Sequence, residues 1–147
     1  MNRCAFVIAL AAMLLTACGE ATSSSTAAPT APSLTPATTN RPPSPVKVAF
    51  VSPSSGEVVH GSTLHVVVTV TGGTVTPAYS TQISPTLGHV HLYLNGQLVY
   101  MAYTLQQDLP VNPGAEYAMY AEWVAADHFP FSPRDVTPTI FFSVAAS

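Results

Sequence analysis

Charge is the scarcest property of this 147-residue sequence, because only 7% of its residues are Asp, Glu, Lys or Arg. Soluble globular proteins average about 25%. The four Lys and Arg residues in the whole chain cannot form the clustered basic surface that binding to a phosphate backbone requires. The composition therefore excludes nucleic acid as a partner.

Cysteine is nearly absent as well, since Cys4 and Cys18 are the two in the chain. If an export segment is removed before Cys18, the folded part of the protein contains none. Neither a disulfide nor a thiolate metal site is then available to it. We expect the fold to be held by its apolar core alone, for which the 48% hydrophobic content is ample.

Common catalytic motifs are also missing. The sequence has no Gly-x-Ser-x-Gly elbow, no phosphate-binding loop and no His-Glu-x-x-His pair, and these motifs mark the frequent hydrolase and nucleotide sites. The acidic residues between Glu57 and Asp135 show no spacing that singles out an acid-base pair. We therefore predict a protein that is not an enzyme and has no catalytic residues.

The N-terminus has the pattern of an export signal. A positive charge at Arg3 precedes the apolar run Cys4 to Leu15, which is shorter than the roughly 20 residues that a membrane-spanning helix needs. The segment Leu15-Thr16-Ala17-Cys18 resembles the lipobox of bacterial lipoproteins. The resemblance implies that residues 1–17 are a signal peptide and that Cys18 carries the lipid. An ordinary secretory signal, or a buried helix, is the alternative.

A lipidated Cys18 would make the membrane a partner of this protein. The chain would then be anchored to the cell membrane on its extracytoplasmic side, either extracellular or periplasmic. Residues 18–45 consist mainly of Ala, Ser, Thr and Pro, with Glu20 and Arg41 as their charges. Such a segment has no apolar periodicity, so we predict a disordered linker. Its Ser and Thr content is also compatible with O-glycosylation, which nothing in the sequence requires.

From residue 46 the pattern changes to short alternating strands, which are typical of a β-sandwich. We predict an all-β domain of about seven strands over residues 46–147. The predicted strands are 46–51, 63–71, 89–94, 97–104, 116–125 and 137–144. The connection 74–88 has room for one more short strand.

Asn95-Gly96 predicts a two-residue hairpin, because both residues accept positive φ. The predicted register pairs Leu94 with Gln97 and His91 with Tyr100. Alternation then gives a core face of Val90, Leu92, Leu94, Val99 and Met101. The opposite face holds His89, His91, Tyr93, Leu98 and Tyr100. This register places Met101 in the core, away from the histidines.

The strand from Glu116 predicts four inward side chains, which are Tyr117, Met119, Ala121 and Trp123. The preceding segment, Leu109 to Tyr117, resembles the tyrosine corner of immunoglobulin-like and fibronectin III-like domains. The resemblance implies that the Tyr117 hydroxyl bonds back to the loop before it. A simple core tyrosine is the alternative.

A wider resemblance covers nearly all of residues 46–144. Gly88 to Gly96 (Gly-His-Val-His-Leu-Tyr-Leu-Asn-Gly), the later Ala126-Asp127-His128 and the turn Ser52 to Gly56 resemble a set of uncharacterised bacterial secreted domains. The resemblance implies an immunoglobulin-like sandwich with His89, His91 and His128 at matching positions. It implies no particular activity.

Two kinds of site are consistent with these residues. In the first, His89, His91 and His128 bind copper or zinc, with Asp127 as a fourth ligand or as a residue that orients a ligand. A His-x-His pair points both rings to one side of a strand, with Cβ atoms about 6.5 to 7 Å apart. The alternative is that these histidines simply cover the sheet or form local hydrogen bonds.

In the second, exposed apolar side chains recognise an envelope protein or a glycan. The candidate surface residues are Tyr93, Leu98, Tyr100, Phe129 and Phe131. The sequence thus predicts a lipid-anchored cell-envelope protein whose non-catalytic domain is a surface binding or structural module and contains no cofactor. A copper- or zinc-binding envelope protein is the alternative function.

The lipobox gives a direct test. Replacing Cys18 by Ser should prevent acylation and leave the uncleaved precursor, because the acylated sulfur is what signal removal requires. Intact mass and detergent partitioning measure both effects. A Cys18→Ser protein that still carries diacylglycerol would contradict the assignment.

Overall fold

The computed structural model describes residues 40–146. The predicted signal peptide, Cys18 and the linker up to residue 39 lie outside the described residues. Within residues 40–146 every regular element is a strand, as the alternation predicted. No helix in this part of the chain has the length and apolar character needed to cross a bilayer.

Ten strands make up the described part of the chain. They are β1 Lys47–Ser52, β2 Val58–Val59, β3 Thr63–Thr71, β4 Thr74–Val75, β5 Leu87–Leu94, β6 Gln97–Ala102, β7 Gln106–Pro110, β8 Glu116–Ala125, β9 Pro130–Val136 and β10 Ile140–Val144. All six predicted strands are present, with ends shifted by up to three residues. β4 is the additional short strand that the prediction allowed in the connection 74–88.

The strands form two sheets. The smaller sheet has the order β1-β3-β7, and the larger has β2-β10-β8-β5-β4 with β6 also paired to β5 and β9 to β8. The β2–β10 and β4–β5 pairs are parallel. β5 and β8 therefore lie at the centre of the larger sheet, where they are joined by seven residue pairs from Gly88–Ala125 to Leu94–Met119.

The core takes alternate residues from both sheets. β3 contributes Leu64, Val66 and Val68, and the larger sheet contributes Val90, Leu92, Met119, Ala121 and Trp123. The five side chains from the larger sheet are fully buried. The inward face predicted for β8 is thus confirmed.

The tyrosine corner is present. The backbone N–H of Asn112 donates to the Tyr117 hydroxyl at 3.0 Å, and the Tyr117 ring stacks on Phe142 with centroids 5.4 Å apart. This bond satisfies a backbone donor in the loop before β8. It also fixes the start of β8, the strand that pairs with β5 and precedes His128.

The segment before β1 begins to contact the domain earlier than expected. Ser44 donates its hydroxyl to the carbonyl of Pro85 at 2.7 Å, and the carbonyl of Pro42 accepts the N–H of Ser132 at 3.2 Å. Arg41 also contacts the domain, as described below. The predicted linker boundary at residue 45 is therefore too late, because Arg41, Pro42 and Ser44 have polar partners in the domain that composition does not reveal.

The hairpin between β5 and β6 differs from the predicted register. Its turn is as expected, with Asn95 and Gly96 at φ of 51° and 78° and Leu94 opposite Gln97. A bulge follows at once, so that His91 lies opposite Met101.

One extra residue moves every later side chain of β6 to the other face of the sheet. The prediction that placed Met101 in the core and Tyr100 beside the histidines is therefore wrong. Tyr100 pairs with Leu92, and Met101 takes its place on the histidine face.

Three strands were not predicted, which are the two-residue β2 and the longer β7 and β9. β7 reads Gln-Gln-Asp-Leu-Pro and β9 reads Pro-Phe-Ser-Pro-Arg-Asp-Val, so neither has the alternation or the β-branched content of a typical strand. Proline cannot donate to a ladder and is tolerated mainly in edge strands. Both strands pair on one side within the described residues, which accounts for their composition.

Burial of Trp123 gives a quantitative test of the core. Trp123→Ala should lower the free energy of unfolding by about 3 to 5 kcal/mol, because it leaves a large cavity between the sheets. The measurement is denaturant unfolding followed by circular dichroism. Leu105→Ala, at an exposed position, serves as control and should cost less than about 1 kcal/mol. A similarly small loss for Trp123→Ala would contradict its burial.

Candidate metal centre

Three histidines converge on one face of the larger sheet. His89 and His91 lie on β5, and His128 lies in the turn between β8 and β9. One ligand nitrogen from each ring lies within 4.8 Å of the others. His89 and His91 are only 1% and 4% exposed, so the cluster is largely shielded from water.

Local backbone geometry brings the two elements together. A Cβ at position 88 would overlap the carbonyl oxygen of Val124, so glycine is required where β5 crosses this part of β8. After β8, His128 adopts a left-handed φ of 68°. The turn is closed by bonds from His128 N–H to Ala125 O at 2.9 Å and from Ala125 N–H to Phe129 O at 3.0 Å. This tight reversal brings the His128 ring next to β5.

The spacing of the rings suits a shared ion. The Nε2 atoms of His89 and His91 are 3.1 Å apart, with one ring donating and the other accepting. Two nitrogen ligands of a tetrahedral zinc ion are separated by about 3.3 Å, given zinc–nitrogen bonds of about 2.0 to 2.1 Å. The His128 ring centroid lies 4.6 Å from that of His89 and 6.2 Å from that of His91. Small rotations would therefore bring the third nitrogen to the same ion.

The protonation state also suits a ligand. Burial, together with the neighbouring His91 and His128 rings, lowers the pKa of His89 to about 4. Burial likewise lowers the pKa of His91, although the nearby Glu122 opposes this effect. Both rings are therefore neutral near pH 7, and the neutral imidazole is the form that binds a metal. Among the described residues, His128 Nδ1 is buried without a hydrogen-bond partner.

Asp127 does not reach the cluster as a ligand. Its Oδ2 and Oδ1 accept bonds from Arg41 Nη1 at 2.6 Å and Nη2 at 2.8 Å. Arg41 also donates to the carbonyls of Phe129 and Pro130, each at 3.0 Å. The expectation of Asp127 as a fourth ligand is therefore corrected. Its carboxylate, with a pKa lowered by Arg41, instead holds the turn that carries His128.

Arg41 is a neighbour of the candidate site that sequence reasoning missed. It lies in the segment predicted to be a linker, 86 residues away from Asp127 in sequence. The available signal was that Arg41 is the single basic residue of that segment. Nothing local, however, could identify its distant partner.

A second carboxylate, Glu122, lies opposite His91 on β8. Arg134 donates to Glu122 Oε1 at 2.5 Å and to Oε2 at 2.6 Å, and the Tyr93 hydroxyl donates to Oε2 at 3.1 Å. Tyr93 in turn stacks on Tyr120, with centroids 4.5 Å apart. Both oxygens of the buried Glu122 are thus engaged, and Tyr93 is fixed rather than free on the surface.

Two aromatic side chains lie beside the cluster. The Tyr103 ring lies 5.1 Å from His89, and Tyr79 stacks on His128 at 5.9 Å. Tyr79, Tyr103 and Met101 are all exposed. The two tyrosines therefore border the cluster.

The predicted recognition surface does not form one patch. Phe129 is 63% exposed, but Phe131 is only 1% exposed and belongs to the core, so its assignment to a surface is wrong. Leu98 lies opposite Tyr93, as expected, whereas Tyr100 projects on the other face. The bulge and the alternation along β9 separate these residues.

Comparisons with known proteins address the fold. No family model matches the chain, and no curated protein matches it by sequence. Among solved structures, the chain is similar to a fibronectin(III)-like module of CbhA from Clostridium thermocellum, with a TM-score of 0.50 and 19% sequence identity. The match covers 68% of this chain and 97% of the module. It confirms the predicted immunoglobulin-like, fibronectin III-like β-sandwich, and at this identity it shows the fold alone.

The Arg41–Asp127 pair gives a test of the turn. Arg41→Ala should lower the free energy of unfolding by about 1 to 3 kcal/mol, because it leaves largely buried acceptors on Asp127 and the turn carbonyls unpaired. Denaturant unfolding measures this loss.

The matched control is Lys47→Ala. Lys47 lies 3.6 Å from Asp135, but its side chain is 74% exposed, so this change should cost at most about 1 kcal/mol. Equal effects for the two variants would show that Arg41 does not hold the turn.

Proposed function

We propose that this protein is a lipid-anchored metal-binding module of the cell envelope, which holds one copper or zinc ion at His89, His91 and His128. The observation that carries the proposal is the convergence of three ligand nitrogens within 4.8 Å. The ion would take the place of the proton that His89 and His91 share.

A purely structural role explains the cluster less well. Burying a polar group is unfavourable unless it is hydrogen-bonded, and the Nδ1 atom of His128 is buried without a partner in the described part of the chain. Apolar side chains would stabilise the same face without that penalty. A bound ion would offset the penalty, because binding free energy to the folded state adds to folding free energy.

The ligand type limits which metal ions the site can bind. Neutral imidazole suits zinc and copper, whereas magnesium and calcium prefer oxygen ligands. Three protein ligands leave one coordination position open, on the side rimmed by exposed Tyr79 and Tyr103.

The surroundings favour binding over catalysis. In both Asp127 and Glu122, the two carboxylate oxygens accept hydrogen bonds from an arginine. Neither is free to act as a general base on a metal-bound water. We therefore propose a carrier or buffer of metal ions.

The location in the envelope rests on the N-terminal sequence. The lipobox Leu15-Thr16-Ala17-Cys18 supports a lipid anchor, and the Ala-, Ser-, Thr- and Pro-rich segment after it supports a spacer between the membrane and the domain. The metal site would then face the extracytoplasmic side, where the protein meets ions from outside the cytoplasm.

Recognition of an envelope protein or glycan is the second candidate function. It is favoured by the exposed apolar side chains of β6 and its flank, which are Leu98, Val99, Tyr100, Met101 and Tyr103. Such a surface would bind its partner whether or not metal is present, which separates it from the first candidate.

Metal-dependent stability tests the proposal. Zinc or copper at about a hundredfold excess over Kd should stabilise the folded protein by about 2.7 kcal/mol, because the ion binds the folded state. Thermal melts near neutral pH measure the shift, and elemental analysis of the purified protein gives the bound metal. His89→Ala, His91→Ala and His128→Ala should each remove most of the shift.

His60→Ala and His65→Ala are the matched controls, since both residues are exposed and neither belongs to the cluster. These variants should respond to metal as the unsubstituted protein does. If neither copper nor zinc moves the melting curve of the unsubstituted protein, the proposal is wrong and recognition becomes the better candidate.

A further inference from the structure

The bulge in the β5–β6 hairpin places a thioether beside the histidines. We infer that Met101 is the fourth ligand of the cluster and that the site selects copper(I) over zinc. This inference rests on the proposed function and names the ion that it takes.

The strand register places Met101 on the correct face. Residues directly opposite each other in an antiparallel pair share a face, with Cβ atoms about 4.5 to 5.5 Å apart, and Met101 lies directly opposite His91. The neighbouring pair, Val90 and Ala102, is fully buried on the core side. Alternation therefore puts Met101 on the histidine side.

The position of Tyr103 agrees with this placement. Tyr103 comes directly after Ala102, the last residue of β6, and so lies two residues from Met101. The Tyr103 ring lies 5.1 Å from the His89 ring. The chain at the end of β6 therefore passes beside the cluster.

The side chain has the freedom that a closing ligand needs. Met101 is 41% exposed, and methionine has an unbranched chain with three rotatable bonds. The carboxylates nearest the histidines are held by Arg41 and Arg134. The thioether is therefore the best-placed uncommitted donor for the open position.

Ligand chemistry then decides the ion. A thioether is a soft ligand that selects copper(I), whereas zinc is served by imidazole, thiolate and carboxylate. A set of three imidazoles and one thioether binds copper(I) through all four groups. Zinc would use the three imidazoles and a water, so its affinity would not depend on Met101.

The test uses the full chain in detergent with Cys4→Ser and Cys18→Ser, so that no thiol competes for copper(I). Met101→Leu is added to this background and compared with Met119→Leu, the same change at a buried core methionine. Competition against chromophoric chelators gives the copper(I) and zinc affinities separately. X-ray absorption at the copper edge reports whether sulfur is bound.

We expect Met101→Leu to weaken copper(I) binding by at least about tenfold, because it removes a direct ligand and the loss of a group that merely orients a ligand already costs about ten- to a hundredfold. Zinc binding should stay nearly unchanged. Met119→Leu should change neither affinity. In the background protein, which still contains Met101, the X-ray absorption spectrum should show one sulfur neighbour of copper.

The outcomes separate the two proposals. Copper(I) bound without a sulfur neighbour, or bound equally well after Met101→Leu, would overturn the inference and leave the metal site in place. Failure of the background protein to bind either ion would overturn the proposed function itself. Because the absorption spectrum needs no substitution at Met101, it decides the matter even if Met101→Leu fails to fold.

Discussion

The pairing of β5 with β8 is the interaction on which the rest of the structure depends. Seven consecutive pairs join the two strands, and they begin at Gly88, where only glycine allows the backbones so close. One side of this ribbon forms the core with Trp123, and the other holds His89 and His91. Moving either strand by one residue would exchange these two faces. Core and candidate metal site are therefore consequences of the same register.

Two ion pairs lie beside that ribbon. Arg41 pairs with Asp127 on one side of the histidines, and Arg134 pairs with the buried Glu122 on the other. These carboxylates raise the pKa of both arginines, so both guanidinium groups stay charged. These ion pairs fix the positions of neighbouring elements. The protein has few other charges that could contribute long-range Coulomb forces.

Sequence predicted the features that rest on local pattern. Alternation revealed the all-β class and the inward face of β8, the Asn95-Gly96 turn revealed the hairpin, and the His-x-His spacing put two imidazoles on one face. Prediction from sequence failed where neighbouring residues show no alternation between apolar and polar side chains. The run Leu98 to Met101 is apolar throughout, so its bulge leaves no trace in the pattern, and the partner of Arg41 is set by the folded topology alone.

The bulge opposite Leu92 has one more consequence, which concerns solubility. β6 is an edge strand, and its exposed side chains from Leu98 to Met101 are all apolar. An edge of this kind is a template for pairing with another chain, and natural proteins interrupt such edges with charges, prolines or bulges. β6 has neither a charge nor a proline. The bulge is therefore the feature that protects β6 against edge-to-edge aggregation. It adds twist to the strand, and this twist disrupts the flat row of hydrogen-bonding groups that a second strand would need.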